Sequence, residues 1–153
     1  MFRGWLAAAL ALATVAAVVA AIALGAGRGG SAEVMQAAAG ITLAQYPNCD
    51  AAVVDERTME VYRADGTGEC QDETFTKVLT EKGRNDNNVL SLNFILPYFT
   101  VQVVRLEVIR PDGTVIPVNV AANSSESIDN SQMQENIYDP NSRILRVNIP
   151  GLE

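Results

Sequence analysis

Val89-Leu90-Ser91-Leu92-Asn93-Phe94-Ile95-Leu96 sets the architecture of this chain. Leu90, Leu92, Phe94 and Leu96 occupy alternate positions, with Ser91 and Asn93 between them. An extended strand therefore carries an apolar stripe on one face of a sheet. Pro97-Tyr98 ends that strand. On the C-terminal side a further strand is expected from Val101 to Ile109, which Arg110-Pro111-Asp112-Gly113 turns into Thr114 to Val118. Proline presets φ there, and glycine accepts the positive φ that the turn needs. Asn119 to Asn136 is rich in Asn, Ser, Asp and Glu without periodicity and reads as a long loop. A last strand is expected over Ile144 to Ile149, closed by Pro150-Gly151.

On the N-terminal side, Asp50–Tyr62 and Gly68–Thr80 read as two strands of a hairpin around Ala64-Asp65-Gly66-Thr67, Asp-Gly being a strong turn signal. Val53, Met59 and Val61 share one parity in the first strand, and Phe75 and Leu79 share one in the second. No 3.6-residue apolar period runs after about residue 32. The expected fold class is all-β: an antiparallel β-sandwich or strongly twisted sheet. Its core stripe is Leu90, Leu92, Phe94 and Leu96, with Phe75, Leu79, Val101, Val103, Leu106 and Val108 around it.

Centring the hairpin between Asp65 and Gly66 sets Cys70 opposite Val61 and Thr74 opposite Arg57. Cys49 is then too far along the ladder for a disulfide to Cys70 unless it folds back from the strand start. An oxidising compartment would permit a bridge without requiring one. Arg57 is expected to pair with Glu73 across the hairpin, or else to sit on the solvated face.

Met1-Phe2-Arg3-Gly4-Trp5 opens an Ala/Leu/Val run that reaches about Ala26 with only Thr14 as a polar side chain. Roughly 20 apolar residues are enough to span a bilayer, and the Gly30 and Ala32 positions suit cleavage after Ala32. Residues 1–32 are thus expected to be a signal peptide or an N-terminal membrane-anchor helix, residues 33–45 a linker with about one helical turn, and 46–153 a β domain. A positive flank before the apolar run stays in the cytoplasm, so the β domain is expected outside it, periplasmic or secreted. Membrane contact would run only through residues 1–26, if they are retained. Arg3 and Arg28 leave with the leader and no acid does, which moves the net charge from −7 to −9. An acidic surface without Lys/Arg clusters excludes nucleic acid and anionic membrane surfaces as expected partners.

The chain contains no histidine. Neither Cys49 nor Cys70 can be activated by the Cys–His pair that a transglutaminase-like or papain-like site uses, and no histidine-based zinc site can form. Asp55 and Glu56 are neighbours in a strand and point to opposite faces, as do Asp72 and Glu73, so neither pair can share acid–base work. Gly83-Arg84-Asn85-Asp86-Asn87-Asn88 has the oxygen-rich look of a calcium loop but lacks its alternating acids and distal glutamate. No catalytic, cofactor-binding or metal-ligating residues are expected, and no cofactor.

Four ordered pieces are nevertheless familiar: Tyr46-Pro47-Asn48 before Ala51-Ala52-Val53-Val54-Asp55-Glu56-Arg57; Lys77-Val78-Leu79-Thr80-Glu81-Lys82-Gly83; Leu96-Pro97-Tyr98; and Val108-Ile109-Arg110-Pro111-Asp112-Gly113-Thr114-Val115-Ile116-Pro117-Val118. Together they resemble a bacterial domain of unknown function that lies upstream of transglutaminase-like domains in extracytoplasmic proteins. The resemblance implies a mostly β fold over 46–153 and a pattern that continues past Glu153, so that this chain is an N-terminal fragment. It implies a non-catalytic role: packing against or positioning a downstream transglutaminase-like domain of the same parent protein. The residues leave two alternatives. One is a free-standing module for a cell-envelope peptide or glycan, which needs a concave face of Tyr and Phe because Trp5 lies in the leader. The other is a carboxylate hydrolase.

Overall fold

The computed structural model of the chain describes residues 9–11, 32–131, 133 and 138–152. The chain is all-β and antiparallel, as the alternation predicts. In order it comprises β1 (Ala9–Ala11), α1 (Ala32–Gly40), β2 (Ala51–Tyr62), β3 (Gly68–Val78), α2 (Glu81–Asp86), β4 (Val89–Ile95), β5 (Glu107–Ile109), β6 (Val115–Pro117), α3 (Val120–Asn123), β7 (Ser124–Ile128) and β8 (Ser142–Asn148). Among the described residues three antiparallel sheets result, ordered β1-β3-β2, β4-β8-β7 and β5-β6. Most of the expected leader helix, and Trp5 with it, lies outside the described residues. Ala9–Ala11, which the leader reading placed in that helix, is a strand on the outer edge of β3, where unpaired backbone groups take up an extended segment.

The two hairpin turns share one five-residue pattern, Arg63-Ala64-Asp65-Gly66-Thr67 and Arg110-Pro111-Asp112-Gly113-Thr114. In each, the Arg N–H donates to the Thr carbonyl (2.8 and 2.9 Å), and the Gly N–H donates to the Arg carbonyl. The Asp carboxylate accepts from the Thr N–H, at 2.9 and 2.8 Å. Gly66 and Gly113 sit at φ +85° and +84°, where a side chain would be strained. With glycine in the left-handed position the loop holds one residue more than a two-residue turn. The β2–β3 register is therefore offset by one from the expected pairing: Cys70 faces Glu60 and not Val61, and Arg57 faces Glu73 and not Thr74. A bulge between Val53 and Asp55 also breaks the parity expected to join Val53 to Met59 and Val61.

The core lies on the second sheet. Leu90 and Val147 are directly paired and essentially fully buried (1% and 0% exposed), and Val103, Leu106, Val108, Val118 and Ile149 complete the cluster. Phe94 and Phe75 are also buried, whereas Leu92, Leu96, Leu79 and Val101 are half-buried. Central β8 carries Leu145 and Val147 towards this core, and β4 pairs with it throughout.

Three expected elements differ. Val101–Leu106 is not a strand, because its buried residues, Val103 and Leu106, are spaced by three and not two. Asn119–Asn136 is not all loop: Asn119 Oδ1 accepts from Ala122 N and caps α3, which leads straight into edge strand β7. Its Ser-Ser-Glu-Ser sequence hides a strand that exposes most of its side chains. The expected linker also holds a nine-residue helix, α1. Alanine favours that conformation, Val34 is buried, and Lys77 Nζ donates to the carbonyls of Ala38 and Ile41 at 2.7 Å each. A cation at a helix C-terminus satisfies carbonyls that have no partner within the helix.

Candidate functional site

Two places hold the chemistry of this surface. The first is the junction between the hairpin and α2. Thr80 caps α2: its Oγ1 accepts from Gly83 N at 3.0 Å and donates to Asp50 Oδ1 at 2.7 Å. The N–H groups of Leu79 and Thr80 donate to the Asp50 carbonyl at 2.9 and 3.2 Å. Lys82 Nζ reaches Asp50 Oδ2 and Asp86 Oδ2, each at 2.8 Å. The Lys82 and Thr80 hydrogen bonds hold the Asp50 carboxyl below its ordinary range, and the same two carboxylates raise Lys82. Gly83 is buried because nothing larger fits. A Cβ there would stand 2.0 Å from the Asp50 carbonyl oxygen. This latch fastens the start of β2 to the start of α2. Beside it opens a groove of about 380 Å³ lined by Val78, Leu79, Thr80, Glu81, Arg84 and Leu152.

The second place is the far end of the second sheet. Ile95 faces Ser142 in the ladder, and Leu96 N donates to the Asn141 carbonyl. Tyr98 and Phe99 follow β4 in the chain, and Tyr138 precedes β8. Their exposures are 77%, 52% and 60%, and that of Ile95 is 40%. All four tyrosines of the chain are exposed.

The sequence-derived candidates fall in separate places. Glu73 lies opposite Arg57, yet its Oε1 accepts from Arg105 Nη2 at 3.0 Å, and Arg57 is exposed. The expected Arg57–Glu73 pair thus gives way to Arg105–Glu73, because the half-buried Arg105 reaches Glu73 from the segment that leads into β5. Glu107 joins this pair at 3.8 Å. Cys49 is exposed and Cys70 half-buried, and both are free thiols. Burial pushes the Cys70 thiol up, and the Asp72 and Glu60 carboxylates add to the rise, so its thiolate is disfavoured at neutral pH. Asp86 of the oxygen-rich run is spent on Lys82. Among the described residues no group of three or more His, Cys, Asp or Glu is placed to hold a metal, and no helix is long and apolar enough to cross a membrane.

The latch residues carry no chemical motif, although Lys77–Gly83 belongs to the stretches that carry the resemblance. The signal of the latch was Thr80 three positions before Gly83, a cap preceding a close approach. Arg105 had no sequence signal, since its partner is 32 residues away.

A family model described as a Domain of Unknown Function with solved structure, DUF3857, matches residues 64–153, from the first turn through β8. No curated protein and no solved structure gives a significant match to the chain.

Proposed function

Because the chain belongs to the DUF3857 family, we propose that it is a non-catalytic, extracytoplasmic β domain that packs against and positions a transglutaminase-like domain. The observation that carries this reading is the exposed apolar end of the second sheet, formed by Ile95, Tyr98, Phe99 and Tyr138. Exposed aromatic side chains at one sheet end fit a surface that another protein body covers. The positively flanked apolar leader supports delivery across the membrane. The lack of histidine supports a supporting role over catalysis.

The test is twofold. The chain alone should turn over neither peptide nor glutamine-donor substrates, and it should bind a transglutaminase-like domain from the same cell with a Kd that Tyr98→Ala weakens. Turnover that survives Cys49→Ser and Cys70→Ser would overturn the reading. Tight binding of cell-envelope glycans in place of the domain would favour the free-standing module.

A further inference from the structure

We propose that the exposed end of the second sheet receives a protein segment bearing a carboxylate amid apolar side chains, and that Arg143 is the residue that takes the carboxylate. Phe94, Arg143 and Ile128 form one row across β4, β8 and β7, because Arg143 pairs with both neighbours. Directly opposed residues project from the same face, so this guanidinium lies beside buried Phe94. Its Nε is buried and has no hydrogen-bond partner among the described residues. A desolvated charged donor left unpaired is costly, and such groups are rare in folded proteins.

The acids flanking it in the ladder are committed elsewhere. Asp129 N donates to the Ser142 carbonyl, one residue from Arg143, yet its carboxylate accepts from Asn93 Nδ2 at 2.8 Å and Ser131 N at 3.0 Å. Asn93 pairs with Ile144 and so lies on the other face of the sheet. Asp139 accepts Ser142 N on its carbonyl and Asn141 N on its carboxylate. An arginine whose Nε has no acceptor among the described residues, one row from a sheet end with exposed Tyr98, Phe99 and Tyr138, has the make-up of an interface anchor. Charge complementarity identifies the occupant. A neutral glycan offers the guanidinium no counter-charge, and a polyanionic bilayer is repelled by a chain of net charge −7. A single Asp or Glu among apolar residues satisfies both the arginine and the aromatics.

This inference rests on the docking reading above, though not on the identity of the docked body. A random peptide library is selected on the full, detergent-solubilised chain, and the best binder is synthesised. Selected sequences should carry Asp or Glu between apolar residues. Arg143→Gln, or replacing the peptide's acid by its amide, should each weaken binding tenfold or more, and both changes together should weaken it no further. Without peptide, Arg143→Leu should raise the denaturation midpoint, since it removes a buried donor that has no acceptor. A lowered midpoint, acid-free binders, or binding to phosphatidylglycerol vesicles that depends on Arg143 would overturn the inference. A transglutaminase-like domain that binds equally well to Arg143→Gln would overturn it and leave the proposed function standing. Peptides that bind as expected while no such domain binds would do the reverse.

Discussion

The two main sheets are held together by different means. The hairpin of β2 and β3 has the longest strands, 12 and 11 residues, yet its buried side chains are only Thr74 and Phe75. The sheet of β4, β8 and β7 has strands of seven residues or fewer, and it contains Leu90 and Val147, both essentially fully buried. Length of ladder and depth of core do not go together. A ladder exchanges water hydrogen bonds for internal ones at modest net gain, whereas removing apolar area from water is worth about 25 cal/mol per Å². The hairpin is therefore stabilised mainly where it is tied down: by Lys77 on α1, by the Asp50–Thr80–Lys82 latch and by Arg105 on Glu73.

The sharpest way to break this contrast is to truncate one apolar side chain in each sheet. Leu90→Ala or Phe94→Ala should cost about 3–5 kcal/mol in chemical denaturation. Met59→Ala, half-buried in β2, should cost about 1 kcal/mol. Equal losses would put the core in the wrong sheet. Gly83→Ala comes next, at about 3 kcal/mol, because its Cβ would meet a backbone oxygen that cannot yield without moving β2. Thr80→Ala removes a helix cap and should cost about 1 kcal/mol. A fourth measurement compares two arginines: Arg105→Ala should lose about 1 kcal/mol through Glu73, while Arg57→Ala should stay within about 0.5 kcal/mol of the parent. The reverse order would restore the cross-hairpin pair.

The smallest effect is on pH dependence. The Asp50 carboxyl is held below 3.8 when folded, so its contribution is present above that pH and lost as pH falls through the folded value. Lys82 is raised above 10.5, so its contribution is complete through the neutral range and lost only at alkaline pH. Asp50→Asn should remove part of the acid limb below about pH 4 and leave the neutral plateau flat. Asp65, Asp112 and Asp129, likewise lowered by their turn hydrogen bonds, keep the rest of that limb.

The alternation in 89–96 and the two Asp-Gly turns made the strands around them legible, because their signals are local. Register was legible to within one residue. The missing position came from the left-handed glycine, which a dipeptide signal does not count. β7 was hidden because an exposed edge strand needs no apolar stripe, and α1 because an alanine-rich run without a stripe also reads as a linker. The latch and the Glu73–Arg105 pair were illegible for another reason. Asp50 meets Gly83 and Arg105 meets Glu73 only after the sheets have formed. Arg143 gave no sign at all, since the lack of an acceptor for its Nε among the described residues depends on where Asp129 and Asp139 turn.

The latch also has a mechanical consequence. At about 3.3 Å per residue, the twelve residues of β2 make an arm roughly 40 Å long. Its base is clamped at Asp50, and its tip carries Tyr62, 79% exposed with its hydroxyl donated to Glu60. The Val53–Asp55 bulge sits close to the clamp and adds local twist there. A few degrees of rotation at that point displaces the tip by several ångströms, as at the end of any long lever. Removing the single extra residue at the bulge would therefore re-aim Tyr62 while leaving every contact at the tip intact.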